Sequence, residues 1–230
     1  MKLINSIQGS AIIKFRLDDI APEGGFLIRD VIGLVGEAYQ FGVKPDLPAN
    51  VPPAVIPVFQ FQSGAFGPDA GHVPIVQILM FQTGVVITST STDAANAIMD
   101  DYLRRLTENM GFRFPEANMP RTYQSHIVVE FDKGIETYIR AIERIENTIN
   151  RRIQRPNLPF KVKRLAFGSG DPILPQQAMF SLDAFINADF SLERRAGASY
   201  EENRYFCTAP TTTGALVQTL QEIEAAIAQG

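Results

Sequence analysis

Two hydrophobic periods alternate along the first half of the chain and predict a mixture of strands and helices. Apolar residues that alternate with polar ones, or form short β-branched runs, are typical of strands, and they occur at residues 10–17, 54–62, 73–82 and 85–90. Apolar residues that recur every three or four positions are typical of helices, and they occur at residues 26–41 and 89–111. The predicted order is β-α-β-β-β-α.

The second half repeats this order. Its predicted strands lie at residues 125–131, 160–168, 179–193 and 203–209, and its predicted helices at 133–153 and 211–229. Local similarity accompanies the repeat, as in SAIIKF against SHIVVEF at the two first strands. We therefore predict an α+β fold of two pseudo-repeated β-α-β-β-β-α halves, residues 1–115 and 116–230, in one compact body. Their helix-backed antiparallel sheets are expected either to pack together or to join edge to edge.

Two of the predicted helices carry more specific expectations. Gly33 and Gly36 each cost the helix at 26–41 about 1 kcal/mol relative to alanine, which indicates close packing against another element. The helix at 133–153 has an isoleucine-rich stripe that is expected to face the core. The stripe consists of Ile135, Tyr138, Ile139, Ile142, Ile145, Ile149 and Ile153.

Composition narrows the class of protein. With 45% apolar and 20% charged residues among 230, the chain is expected to fold throughout. No apolar run approaches the roughly 20 residues that a membrane-spanning helix requires, so no membrane association is predicted. The first residues lack the apolar core of a secretory signal, and a single cysteine cannot form an internal disulfide. Both features favour a cytoplasmic location.

Neither the cysteine nor the histidines predict a metal or cofactor site. Cys207 lies in an apolar run and is expected to be a buried, unreactive thiol. His72 and His126 have no cysteine or second histidine near them at the spacing of metal ligands. We therefore expect no cofactor.

A basic segment, RRIQRPNLPFKVKR at residues 151–164, is the clearest charge feature of a chain whose formal net charge is −4. Two interpretations are open. The arginines can end a helix, where cations offset the helix dipole, and the lysines can form the polar side of a half-buried strand. Alternatively, the segment binds nucleic acid or another anion. The cations are Arg151, Arg152, Arg155, Lys161, Lys163 and Arg164.

The densest polar stretch, residues 191–206, is predicted to form a long hairpin. Its tip carries arginines and tyrosines, the residue types that dominate the energetics of protein interfaces. The tip is therefore a candidate partner-binding loop. The residues expected to take part are Arg194, Arg195, Tyr200, Arg204 and Tyr205.

Three hypotheses for function remain open. The leading one is a non-enzymatic interaction or assembly protein, whose rigid duplicated body docks to itself or to another protein, because no convincing catalytic arrangement is present. The second is a nucleic-acid-binding protein that uses residues 151–164. The third is a hydrolase or nuclease that holds a divalent cation. Under this third hypothesis the cation would be held by Asp18, Asp19, Glu130 or Asp132. We assign a catalytic role to none of these acids.

Overall fold

The strand and helix patterns of the sequence produce an α+β fold. The computed structural model describes residues 1–45, 59–67, 72–115, 119–134, 140–153, 159–168 and 189–228. Within these residues the strands are β1 (Lys2–Lys14), β2 (Phe59–Phe66), β3 (Val73–Phe81), β4 (Gly84–Ser89), β5 (Arg121–Glu130), β6 (Arg164–Phe167), β7 (Phe190–Arg194) and β8 (Arg204–Ala209). The helices are α1 (Leu17–Ile20), α2 (Ile28–Ala38), α3 (Thr92–Met110), α4 (Arg140–Arg152) and α5 (Thr213–Ala228).

The eight strands form one antiparallel sheet in the order β2-β3-β4-β1-β5-β8-β7-β6. The first four strands of the chain therefore occupy one side of the sheet and the last four the other. They meet where β1 pairs with β5, with Gly9 opposite Ser125. Of the two predicted arrangements, the strands adopt the edge-to-edge one. The N-terminal part of the predicted strand at 54–62 and most of that at 179–193 lie outside the described residues.

Helices α3 and α5 cover the same face of the sheet, α3 over β1 and β4 and α5 over β5. Beneath α3 and α2 lies an apolar core to which β1 contributes Ala11 and Ile13. A second core beneath α5 includes Ile127 and Cys207. A smaller buried cluster around Ile12 lies on the opposite face, because neighbouring residues of a strand point to opposite sides.

The first turns of α3 and α5 touch at the centre of this covered face. The backbone N–H of Thr213 donates to the Thr92 hydroxyl at 2.8 Å, and the N–H of Thr92 donates to the Thr213 hydroxyl at 3.2 Å. Gly9 lies directly beneath this contact, where a Cβ atom would come within 2.1 Å of the Thr92 nitrogen. The missing side chain of Gly9 therefore allows the helices to meet above β1.

Local contacts define the ends of α3 and test the two glycine predictions for α2. Ser91 caps α3 by accepting a hydrogen bond from the Ala94 N–H, and Gly111 ends the helix with a φ of 72°. Gly36 is buried, but a Cβ there would meet the side chain of Lys44, which lies outside the helices and strands, so the predicted contact with another element is not observed at this position. The packing prediction is wrong for Gly33, which is exposed and has no atom within 4 Å of the position of a Cβ.

The prediction that the isoleucine stripe of α4 faces the core is wrong for Ile145 and Ile153, whose side chains are 58% and 49% exposed. Ile142 and Ile149 are half-buried. Among the described side chains of this helix the buried one is Glu146, which accepts hydrogen bonds from the following extended segment. Ile135, Tyr138 and Ile139 lie outside the described residues.

Candidate functional site

A groove of about 280 Å³ lies between the first half of β1 and the connection from β7 to β8. Its floor contains Ile4, Ile7 and Val128, and its wall is the connection, residues 195–203, together with Arg204 at the start of β8. Val128 points away from α5, because its neighbours Ile127 and Val129 belong to the core beneath that helix. The groove therefore lies on the face of the sheet opposite α3 and α5.

The floor exists because β1 departs from regular pairing. The register with β5 shifts between Leu3 and Asn5 and again between Ser6 and Gln8. Each shift leaves one extra residue in β1, Ile4 and Ile7, and such bulges redirect side chains relative to a regular strand. Ile4 and Ile7 are 38% and 37% exposed. Two large aliphatic side chains are thus presented to solvent beside a polar wall.

The wall is held in place by its own contacts. The guanidinium of Arg194 lies 4.2 Å from the centre of the Tyr200 ring and 5.0 Å from that of Tyr205, and it donates to the Tyr200 carbonyl at 2.9 Å. Ser199 and Glu202 form a capping box around the short 3₁₀ turn Tyr200–Glu202. These contacts hold the connection in place.

The charged residues that line the groove are Arg195, Arg204 and Glu202. Arg204 is held by Glu130 at 2.9 Å and by Glu202 at 2.8 Å, and the Glu130 carboxylate raises the pKa of this guanidinium. A hydrogen bond from the Ser199 backbone lowers the pKa of Glu202. Arg195 is exposed and forms no ion pair with any residue that the structure describes. Arg195 therefore offers a free cation beside the apolar floor.

The five residues predicted to bind a partner at the hairpin tip do not lie on one surface. Arg195 and Arg204 line the groove. Tyr205 is only 2% exposed and belongs to the core beneath α5, while Arg194 and Tyr200 brace the wall. Sequence reasoning missed the floor of the groove. The reason is that the apolar residues of KLINSIQG, at residues 2–9, follow neither the period of a strand nor that of a helix.

The basic segment lies elsewhere, at the end of α4 and in the extended residues that lead into β6. Because β6 begins only at Arg164, the prediction that Lys161 and Lys163 belong to a strand is wrong. Arg151 and Arg152 are exposed in the last turn of α4, which agrees with their predicted place at a helix end. Lys161 pairs with Glu146 at 3.2 Å. Lys163 and Arg164 are exposed, and Arg155 lies outside the described residues.

The four acids considered for metal-dependent chemistry have separate environments. Asp18 and Asp19 are exposed on α1, Glu130 pairs with Arg204, and Asp132 is 80% exposed. In the described parts of the chain, no three histidine, cysteine, aspartate or glutamate side chains are grouped so as to hold a metal ion. The metal hypothesis thus gains no support from these positions.

None of the described helices is long and apolar enough to cross a membrane. Comparison of the sequence with known protein families finds no match, and comparison with curated proteins finds none either.

Proposed function

We propose that this protein is a non-enzymatic interaction protein whose groove docks a segment of another protein chain, either a second copy or a different protein. The observation that carries the proposal is the juxtaposition of exposed Ile4 and Ile7 with the free guanidinium of Arg195. The centres of protein interfaces are more apolar than their rims and are enriched in arginine, and both properties occur together in this groove.

The groove also suggests what its ligand looks like. The floor of Ile4, Ile7 and Val128 favours a large apolar side chain, because burying it removes apolar surface from water. Arg195 favours a carboxylate, to which a guanidinium can donate two parallel hydrogen bonds. We therefore expect the docked segment to contain a large apolar residue next to an aspartate or glutamate.

We further propose that the body carrying the groove is an internal duplication. The β1–β4 ladder runs over six residue pairs from Gly9–Ser89 to Lys14–Gly84, and the β5–β8 ladder over six from Ser125–Ala209 to Glu130–Arg204. An alignment of Gly9 with Ser125 and of Ser89 with Ala209 would relate the two ladders pair by pair. The first turns of α3 and α5 also make reciprocal hydrogen bonds through Thr92 and Thr213, and this correspondence supports the proposal.

The groove coincides with a difference between the two halves. Strands β3 and β4 are joined by Gln82 and Thr83 alone, whereas the nine residues 195–203 join β7 and β8. The longer connection is the wall of the groove. A loop that extends one copy of a repeated scaffold is a common location for binding residues, because the scaffold holds it in place.

Selection from a library of random displayed peptides tests the proposed docking. We expect wild-type protein to enrich peptides that pair a large apolar residue with an acid. Arg195→Glu should reverse the charge preference and enrich lysine or arginine beside the apolar residue. Arg29→Glu, an equal charge change on α2 where the side chain is 74% exposed, is the control and should keep the wild-type consensus.

Two results would contradict the proposal. One is a failure of the wild-type protein to enrich any consensus, and the other is a consensus that Arg195→Glu leaves unchanged. Light scattering distinguishes the two forms of partner. If wild-type protein has a mass above the 25.4 kDa of one chain and the Ile7→Asp variant has the mass of a monomer, a second copy occupies the groove. A monomeric wild type points to a different protein.

A further inference from the structure

The two outermost strands of the sheet differ in what covers their outer sides. Strand β2 lies at one end of the sheet and β6 at the other. Residues 39–43 cover the outer side of β2, where the N–H of Gln62 donates to the Val43 carbonyl at 3.0 Å and the N–H of Val43 donates to the Gln62 carbonyl at 3.2 Å. Among the residues that the structure describes, none pairs with the outer side of β6. The described sheet therefore has one covered edge and one open edge.

The pairing of β6 with β7 shows which backbone groups of β6 face outward. The N–H of Arg194 donates to the Lys163 carbonyl at 2.8 Å, and regular antiparallel pairs continue from there along β6. Successive residues of a strand direct their backbone N–H and C=O groups to opposite neighbours. Since the carbonyl of Lys163 faces β7, the backbone groups of Arg164 and Ala166 face away from it. These two residues offer two donors and two acceptors to another strand.

We infer that the outer edge of β6 pairs antiparallel with the β6 of a second copy, which joins two eight-stranded sheets into one continuous sheet. The register places Arg164 opposite Ala166 of the other copy, and Leu165 opposite its own equivalent on a twofold axis. The two Arg164–Ala166 pairs are then hydrogen-bonded pairs, and each exchanges two backbone hydrogen bonds. This contact uses no residue of the groove.

The side chains of β6 favour a second copy in this register. Arg164 and Ala166 are both exposed, and the register sets a long cation opposite a small residue. A register with Arg164 opposite Arg164 would oppose like charges directly, which is destabilising. Leu165 packs against the core beneath α5 and would meet its own equivalent as an apolar pair. The edge of β6 is therefore complementary to itself.

The ring of Phe167 also favours a partner at this edge. Its side chain is 61% exposed, and the only ring beside it in the described chain is that of Phe190, at 6.0 Å. Continued by one residue, the register sets Phe167 opposite Lys163 of the other copy. The aliphatic part of a lysine can cover a ring while its ammonium group stays in water. Pairing therefore removes apolar surface from solvent as well as satisfying the backbone.

Sedimentation velocity of the wild-type protein and two variants of Ala166 tests this inference. The short strand pair predicts a weak dimer of 25.4 kDa chains, with a Kd on the order of 10 µM. Ala166→Pro removes an outward N–H, a change that edge strands tolerate. It should keep the wild-type Tm but weaken dimerisation about tenfold or more, because two hydrogen bonds per dimer are lost. Ala166→Ser keeps the N–H and is the matched control, which should dimerise like wild type.

The same experiment separates this contact from docking in the groove. A dimer that Ala166→Pro dissociates and Ile7→Asp leaves intact supports pairing through β6. A wild-type mass of one chain at about 200 µM, well above the expected Kd, would overturn the inference. So would a dimer that Ala166→Pro leaves intact. If Ile7→Asp dissociates that dimer instead, the two copies meet in the groove.

Disulfide trapping tests the register without the proline variant. Leu165→Cys places a thiol on the twofold axis, where the facing Cα atoms of a non-hydrogen-bonded pair lie about 4.5 Å apart, within reach of a disulfide. Ala166→Cys is the matched control, because its equivalent in the other copy lies beyond the roughly 7 Å limit. The native Cys207 is buried. Mild oxidation should yield covalent dimer from Leu165→Cys alone. Equal cross-linking of the two variants, or none from Leu165→Cys, would refute the pairing.

Discussion

Gly9→Ala should destabilise the protein by distorting the contact between its two halves. A Cβ on Gly9 would lie 2.1 Å from the nitrogen of Thr92 and 2.3 Å from the carbonyl carbon of Ser91. Both are backbone atoms at the start of α3, so no side-chain rotation can relieve the overlap. Gly9 itself is fixed by pairing with Ser89 on one side and Ser125 on the other.

The size of the effect follows from this geometry. The Thr92 nitrogen would have to move by about 0.9 Å to reach even 3.0 Å from the new atom. Overpacking of this kind costs about 1–3 kcal/mol, and the rigid neighbours place Gly9→Ala at the upper end. Alanine lowers the entropy of the unfolded chain and offsets about 0.5–1 kcal/mol. We therefore expect a net loss of about 2 kcal/mol and a Tm lower by about 4–8 °C.

Urea and thermal unfolding followed by circular dichroism measure this change. Gly33→Ala is the matched control, because a Cβ there meets nothing within 4 Å in a helix. The control should gain about 0.5–1 kcal/mol. A Gly9→Ala variant as stable as wild type, or a Gly33→Ala variant that loses stability, would refute the reasoning.

Three further predictions concern buried polar groups. Tyr102→Phe should raise the free energy of unfolding by about 1 kcal/mol in urea titrations, because the buried hydroxyl has no hydrogen-bond partner among the described residues. A decrease of about 1 kcal/mol would instead show that the hydroxyl is hydrogen-bonded. Burial lowers the pKa of His126 below 6.5, so the unfolded chain binds its proton more readily and wild type should lose stability relative to His126→Gln as pH falls from 7 to 5. A stability difference that does not vary with pH would contradict this prediction. Burial also raises the pKa of the Cys207 thiol, so a thiol reagent at pH 8 should label it only after unfolding; rapid labelling of native protein would disprove it.

Local signals account for the elements that sequence reasoning predicted well. The helix α3 has a capping serine at one end and a glycine at the other, and its apolar stripe is buried from Ala95 to Leu106. Each of these signals depends on residues close together in the chain, which is why the sequence reveals them.

Features that depend on residues far apart in the chain could not be predicted from the sequence. The first residues of β1 were missed because two bulges break the alternation that identifies a strand. The stripe of α4 looked like a core face, but periodicity does not specify which element will cover it. The groove combines Ile4 with Arg195, which are far apart in the chain. They come together because β1 pairs with β5 and β5 pairs with β8.

The proposed docking in the groove is tested most directly by isoleucine methyl spectra of the protein titrated with a selected peptide. The δ1 methyls of Ile4 and Ile7 should shift as the peptide saturates, because they form the floor. Ile145 and Ile153, which are also exposed but lie at α4, are internal controls and should not shift. Shifts confined to Ile145 and Ile153, with Ile4 and Ile7 unchanged, would place the interaction on α4 and contradict the account.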